Sequence, residues 1–289
     1  MKPHSKRPSR SLLTAHLSVA VVATTLLLPP VVASAGTVAY YRFENGTPAA
    51  TIGDLADTSG NGHTLHGTNN PTYQAAIPAP VVPLTRAANT LSAHFTGTQD
   101  IYATPGDALC KTAFTHFTIE TYVRFDSLNG WQTFVGRDDV NQGVGPASLF
   151  YLSKTSDRKP RPGQTANAFR LEAVSKDNTL LTIDSTSVAT TGTWYHVAAV
   201  GDATAGTLSL YVNGSLAGST TGFTGLFAPS RNPGWTLGRG QYKNRPSDNF
   251  IGSLDEVRFS DVALKPSQFL NAPPIKKPLR KRFWRTHSF

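Results

Sequence analysis

A chain of 289 residues with one cysteine, Cys110, cannot form an internal disulfide, so its fold must be held by an apolar core of its own. The formal net charge of +9 sits at the two ends: four basic residues lie in the first 35, six follow Asn271, and residues 36–270 keep 17 basic against 18 acidic side chains. A near-neutral body gives nucleic acid no electrostatic footprint and argues against it as a partner.

Residues 1–35 carry Lys2, Lys6, Arg7 and Arg10, then an apolar run from Leu12 to Val32, then Ala33, Ser34 and Ala35 before Gly36. That is the order of a cleaved secretory signal. The alternative is an uncut membrane anchor, against which stand His16 and the paired prolines inside the run. The expectation is a secreted or cell-surface protein with no transmembrane segment and with its lone thiol buried or in a loop, an intermolecular bridge being the alternative for Cys110.

Strand-like runs follow. Val38 to Phe43 is the first, and Glu44, Asn45 and Gly46 make a turn after it. Ala75 to Ala88, with Pro78, Pro80 and Pro83, reads as an extended surface insertion. Further on, Phe117, Ile119, Thr121, Val123 and Phe125 share one face of a strand while Thr118, Glu120, Tyr122 and Arg124 share the other. Glu120 on that pattern belongs to a solvated face. Asn213 and Gly214 between two runs specify a tight type I′ hairpin, and Ala263 to Leu270 allow one short helical turn. The tail, 271–289, is proline-rich and basic without a periodic apolar face, which predicts disorder; its charge and Phe283 and Trp284 suit an anionic envelope, against a simply solvated tail.

The last run, FIGSLDEVRF from Phe250 to Phe259, sets a problem. Asp255 and Glu256 are neighbours, so on an extended strand they leave on opposite faces and one must meet the interior. An inward carboxylate needs a proton, an arginine or a cation.

This segment, continued as FIGSLDEVRFSDVALKPSQF, resembles the closing segment of the laminin G-like jelly-roll family, within the concanavalin A-like lectin and glucanase group. AYYRFENG with DTSGNGHTLHG, and TWYHVAAVGDATAGTLSLYVNGSLAG, resemble the same family in the same order. The resemblance implies an all-β, antiparallel β-sandwich (jelly roll) as a single domain over 36–270. It also implies a structural calcium tying the start of the chain to the last strand, among Glu44, Asp57, backbone oxygens near Asn61 and Gly62, and Asp255. Oxygens at Asp57, Ser59 and Asn61 and the glycine at 62 are the front half of an EF-hand loop, but Thr68 stands at the twelfth place, so that motif is rejected. The alternative is an Asx-turn at Asp57, with Asp255 or Glu256 paired to Arg258 or Arg42.

Enzyme signatures are absent. The glucanases of this fold place their carboxylates as ExDxxE, which does not occur here, and the chain holds four glutamates: Glu44, Glu120, Glu172 and Glu256. His63 and His66 at i, i+3 lack a third ligand, and loop histidines in solvent are the plainer reading. Sugars stack their C–H faces on aromatic rings, with polar side chains taking the hydroxyls. Trp235, Arg239, Tyr242, Asn244, Arg245 and Asp248 offer that mixture in one stretch, with core packing as the alternative for Trp235; Trp131 with the loop 137–141 is a second choice, and Trp194 reads as packing. The functional expectation is a secreted, lectin-like carbohydrate-binding or adhesive module for a glycan or cell-surface polysaccharide. A protein-binding surface component comes second, and a glycan-cleaving enzyme third.

Overall fold

The computed structural model describes residues 36–139, 149–158, 163–228, 234–243 and 245–273. The expectations for residues 1–35 and for the tail beyond 273 lie outside them. The described chain forms two eight-stranded antiparallel sheets and a two-stranded hairpin, as strands alternating apolar and polar residues should when each sheet buries one face.

One sheet runs Ser215–Thr221, Thr207–Val212, Trp194–Asp202, His116–Phe125, Ile251–Ser260, Ser92–Thr96 and Thr72–Gln74, with Thr37–Tyr41 also paired to Ile251–Ser260. We call it the terminal sheet, since it joins the first strand to the last. The opposite sheet runs Leu180–Val188, Ala168–Val174, Phe150–Lys154, Gln132–Asp138, Gly234–Leu237, Asp100–Ala103, Leu65–Thr68 and Asp54–Leu55. Between them lies a core rich in phenylalanine, including Phe95, Phe117, Phe125, Phe134, Phe150 and Phe169, each fully buried. Burying one such side chain contributes about 1.5–3 kcal/mol, so the core needs no cross-link; Cys110 is buried and unpaired by disulfide. The hairpin at Asn213 and Gly214 is as expected, with φ of 52° and 78°. Ala263 to Leu270 contains a 3₁₀ turn at Pro266–Gln268.

The last strand departs from its simple pattern. Residues 251–254 pair with Ser92–Thr96 and residues 257–260 with Thr37–Tyr41, and between them a bulge interrupts the register with His116–Phe125. Glu256 is the extra residue, at φ 52°. The bulge overturns the opposite-face expectation: Leu254, Val257 and Phe259 enter the core, while both carboxylates meet partners on the outer side. Near its start the strand lies so close to its neighbour that a Cβ on Gly252 would sit 2.1 Å from the Arg124 carbonyl oxygen.

That outer side is not solvated. Glu120, expected on a wet face, is fully buried and accepts from Arg258 Nε at 2.8 Å, from His196 Nε2 at 2.7 Å and from the Leu270 amide at 2.8 Å. Burial alone would raise its pKa, but the Arg258 charge and the His196 hydrogen bond hold it below the ordinary glutamate value. The segment reaching Leu270 lies over this face, burying Leu264 and Phe269 against Ala198 and Val200. The proline-rich insertion adds a second cover: Val82 packs with Tyr40, Tyr122 and Leu270, and the Leu84 amide donates to the Leu270 carbonyl at 3.1 Å. The insertion is thus a lid rather than a surface excursion, and with Ala272 buried the packed body extends past residue 270.

Removing one partner of this buried pair strands the other without solvent. Glu120→Leu is expected to lower the unfolding free energy by about 3–5 kcal/mol, and Glu120→Leu with Arg258→Met by clearly less. Chemical denaturation of the three chains at neutral pH measures it.

Candidate functional site

The C-terminal segment and the insertion cover the middle of the terminal sheet's outer face, and the opposite sheet presents the other candidate surface. Period-two alternation dresses its outer face. On Ala168–Val174, Phe169, Leu171 and Ala173 point into the core, leaving Arg170 and Glu172 outward; on Asp100–Ala103, Ile101 and Ala103 point inward, leaving Asp100 and Tyr102.

The hairpin of Gly240–Tyr242 and Arg245–Ser247 lies on this face. The Tyr151 hydroxyl donates to the Gln241 carbonyl, the Thr133 amide donates to the Asp248 carbonyl at 2.7 Å, and a Cβ on Gly240 would meet Thr133 and Tyr151 at 2.9 Å. It divides the face in two. To one side is an open depression of about 540 Å³ lined by Thr68, Asn69, Thr98, Asp100, Tyr102, Arg239, Pro246 and Asn249. Its guanidinium is fixed: Arg239 Nε donates to Asp100 at 3.0 Å, and Nη1 and Nη2 donate to the two Asp138 oxygens at 3.0 Å each. Burial raises the pKa of both aspartates, with Arg239 acting against the rise.

To the other side Arg170, itself buried, donates to Asp184 at 2.7 and 2.9 Å and to Glu172 at 2.7 Å, and its guanidinium carbon lies 5.6 Å from the centroid of the half-buried Trp131 ring. Asp248 is close enough for its carboxyl to be pushed up by burial and then by the Glu172 charge.

Of the residues expected to meet a ligand, Arg239, Asp248 and Trp131 do belong to this face. Tyr242 stands exposed on the hairpin, its ring 5.4 Å from Lys243 Nζ, with Arg245 exposed beside it. Asn244 lies outside the described residues. Trp235 is a correction: its side chain is 1% exposed, its indole N–H donates to the Leu109 carbonyl at 3.1 Å, and Phe150, Phe259 and Arg137 surround the ring, so it offers no face to a sugar. Tyr102 and the Arg170 cluster went unnoticed in the sequence, although their outward register was readable from alternation.

The residues implied for calcium fall into two groups that no hydrogen bond or ion pair joins. Asp57 organises its own loop, accepting from the Tyr40, Ser59 and His63 backbone amides and from the Ser59 hydroxyl, while Asn61 Nδ2 donates to the Val38 carbonyl at 2.8 Å and the Gly62 carbonyl accepts from the Thr64 amide. With four donors on it, Asp57 is an Asx-turn residue. Asp255 belongs elsewhere. Its Oδ2 accepts from Asn89 Nδ2 at 2.8 Å, but Asp255 Oδ1 and Asn89 Oδ1 are buried acceptors with no donor among the described residues. Burial, then the Glu256 charge and that of Glu44, hold the Asp255 carboxyl well above its ordinary value. Glu256 is engaged by Arg42 Nε at 3.1 Å and by the Tyr40 hydroxyl, and Glu44 accepts from the Thr90 and Leu91 amides at 2.9 and 3.2 Å. No group of three or more His, Cys, Asp or Glu side chains among the described residues is placed to hold a metal. Yet two buried oxygens without a donor, in a negative field, fit a hard cation or a proton. His63 and His66 do not converge, each turning to its own aspartate, Asp107 at 2.6 Å and Asp54 at 2.8 Å.

Residues 95–268 match the family model Laminin_G_3, the concanavalin A-like lectin/glucanases superfamily. The chain belongs to this superfamily. No curated protein matches it. Among solved structures, domain 4 of AbnA, an extracellular GH43 arabinanase from Geobacillus stearothermophilus in complex with arabinotriose, is similar with a TM-score of 0.53 and 23% identity, over 80% of this chain and 95% of that one. The binding domain of Paraclostridial Mosquitocidal Protein 1 has a TM-score of 0.56 and 14% identity, over 81% of this chain and 51% of that one. The binding domain of botulinum neurotoxin DC in complex with rat synaptotagmin II has 0.54 and 15%, over 82% and 50%. The chain therefore spans about half of each toxin fragment. Such identities show the superfamily fold and leave the ligand open. No helix among the described residues is long and apolar enough to cross a membrane.

The state of Asp255 can be read from pH. Its folded pKa is raised, so the unfolded chain loses the proton first. Stability in chelator is then expected to be fully present below the ordinary carboxylate pKa and to fall as pH rises toward neutral, with Asp255→Asn losing most of that slope. Urea titrations of both chains across this range check it.

Proposed function

We propose that this chain is an exported, non-catalytic glycan-binding module, and that a neutral face of a sugar rests in the depression on the outer face of the opposite sheet. The observation that carries the reading is the outward Tyr102 set beside Arg239, Asp100, Asn69 and Asn249 in an open depression, on the part of the sheet face beside the hairpin. An aromatic ring takes the C–H face of a sugar, and fixed charged and amide groups take its hydroxyls. A superfamily relative in complex with arabinotriose supports this.

A hydrolytic reading is less well served. It needs one protonated carboxyl and one bare one flanking a bond, about 5 Å or more apart, whereas Asp100 and Asp138 are both clamped on one guanidinium. A protein partner is the second reading. Leu180, Val188 and Leu216 stand exposed on the adjoining edge strands Leu180–Val188 and Ser215–Thr221, and a toxin domain of similar fold is in complex with a protein.

For calcium, the proposed ligands are Asp255 Oδ1 and Asn89 Oδ1 within the field of Glu44 and Glu256, where an ion would stiffen the last strand as it changes neighbours. Asp57 is not part of it.

A glycan array in calcium and in chelator tests both readings. Selective binding is expected, with Tyr102→Ala weakening it about tenfold or more at unchanged melting temperature. A blank array from folded protein in both buffers moves the reading to a protein partner. Calcium is expected to raise the melting temperature of the parent chain and leave that of Asp255→Asn unmoved.

A further inference from the structure

The turn between His116–Phe125 and Gln132–Asp138 commits four successive carbonyls to two buried side chains. Gln132 Nε2 donates to the Ser127 and Asn129 oxygens at 2.8 and 3.2 Å, and Lys154 Nζ donates to the Leu128 and Gly130 oxygens at 2.6 and 2.7 Å. The same ammonium reaches the Thr155 carbonyl and Asn167 Oδ1, both at 3.2 Å, and the Gly130 amide donates to Asp157 Oδ1 at 2.8 Å.

Lys154 is fully buried, and among the described residues no carboxylate ion-pairs with it; Asp157 acts only as a more distant charge. A buried ammonium without a counter-ion is costly unless its hydrogens are all received. Oxygens converging on a charge are what a loop offers a hard metal ion, and here a tethered lysine supplies the charge. Directly after the pinned turn comes Trp131, whose ring faces the Arg170 guanidinium that Glu172 and Asp184 fix in turn. A turn held at four successive carbonyls has little freedom left to lose on binding, which is how a recognition surface is pre-organised.

We propose that Lys154 and Gln132 are positioning residues that preset Trp131 as an aromatic platform for a sugar ring, with the Lys154 ammonium as the turn's built-in cation. The ligand in this statement rests on the glycan-binding reading; the positioning does not.

The test uses the full chain and the Trp131 indole N–H resonance, assigned by its loss in Trp131→Phe. Lys154→Met keeps the length and removes the charge. It is expected to shift and broaden that resonance, to weaken glycan binding about tenfold, and to add little further loss when combined with Trp131→Phe. Asn167→Ala, which removes one of the four oxygens and keeps the charge, is expected to give a smaller shift in the same direction, and it carries the test if Lys154→Met does not fold. An unchanged indole resonance in these variants overturns the positioning. Losses in Lys154→Met and Trp131→Phe that add in full overturn the link to binding. A parent chain that binds no glycan overturns the glycan reading and the ligand assigned to Trp131, whatever the indole shows.

Discussion

Glu120 must be neutralised without water, and the way this is done shapes the rest of the molecule. Its partners come from three places: Arg258 on the last strand, His196 on a neighbouring strand and the Leu270 amide on the segment beyond. A carboxylate in such a site holds its partners in one arrangement, because a lost hydrogen bond leaves charge in a low-dielectric interior. The closing segment is therefore fastened across the terminal sheet. Its hydrophobic residues and the proline-rich insertion add to the cover, which is why the proposed recognition surface lies on the other side of the sandwich.

The bulge at Glu256 belongs to the same logic. It lets one strand serve two neighbours in succession and turns two adjacent carboxylates to the same side, where Arg42, Tyr40 and Asn89 receive them. Among the described residues, Asp255 Oδ1 and its neighbour Asn89 Oδ1 are left without a donor.

Much of the fold was legible because it is local. Alternation in the strand of Phe117 and Ile119 is visible in any window of ten residues, as is the Asn-Gly hairpin at residue 213. Alternation reports that two faces differ, however, and not that both are buried. Glu120 looked solvated because the residues covering it lie 150 positions away at Leu270. The bulge was hidden for a related reason: a left-handed glutamate carries no compositional mark. Arg239 and Trp131, read from their place among turn residues, do lie on the outer face of the opposite sheet, whereas Trp235 misled because a tryptophan beside glycine and arginine reads the same whether its ring turns in or out. The Arg170 cluster joins two strands and the turn at Trp131, so although the outward register of Arg170 and Glu172 was readable, their meeting with Asp184 and Trp131 was not.

The hairpin at Gly240–Ser247 makes the sheet a poor bed for a long, straight polymer. A cellulose-like chain lying flat would have to climb over it, so a glycan bound as proposed would touch a small footprint in the depression beside it, suited to a terminal unit or a short branch. Weak contacts of that size gain strength by being repeated. Retention on a surface would come from avidity, through several copies or several branches engaged together, rather than from one deep grip.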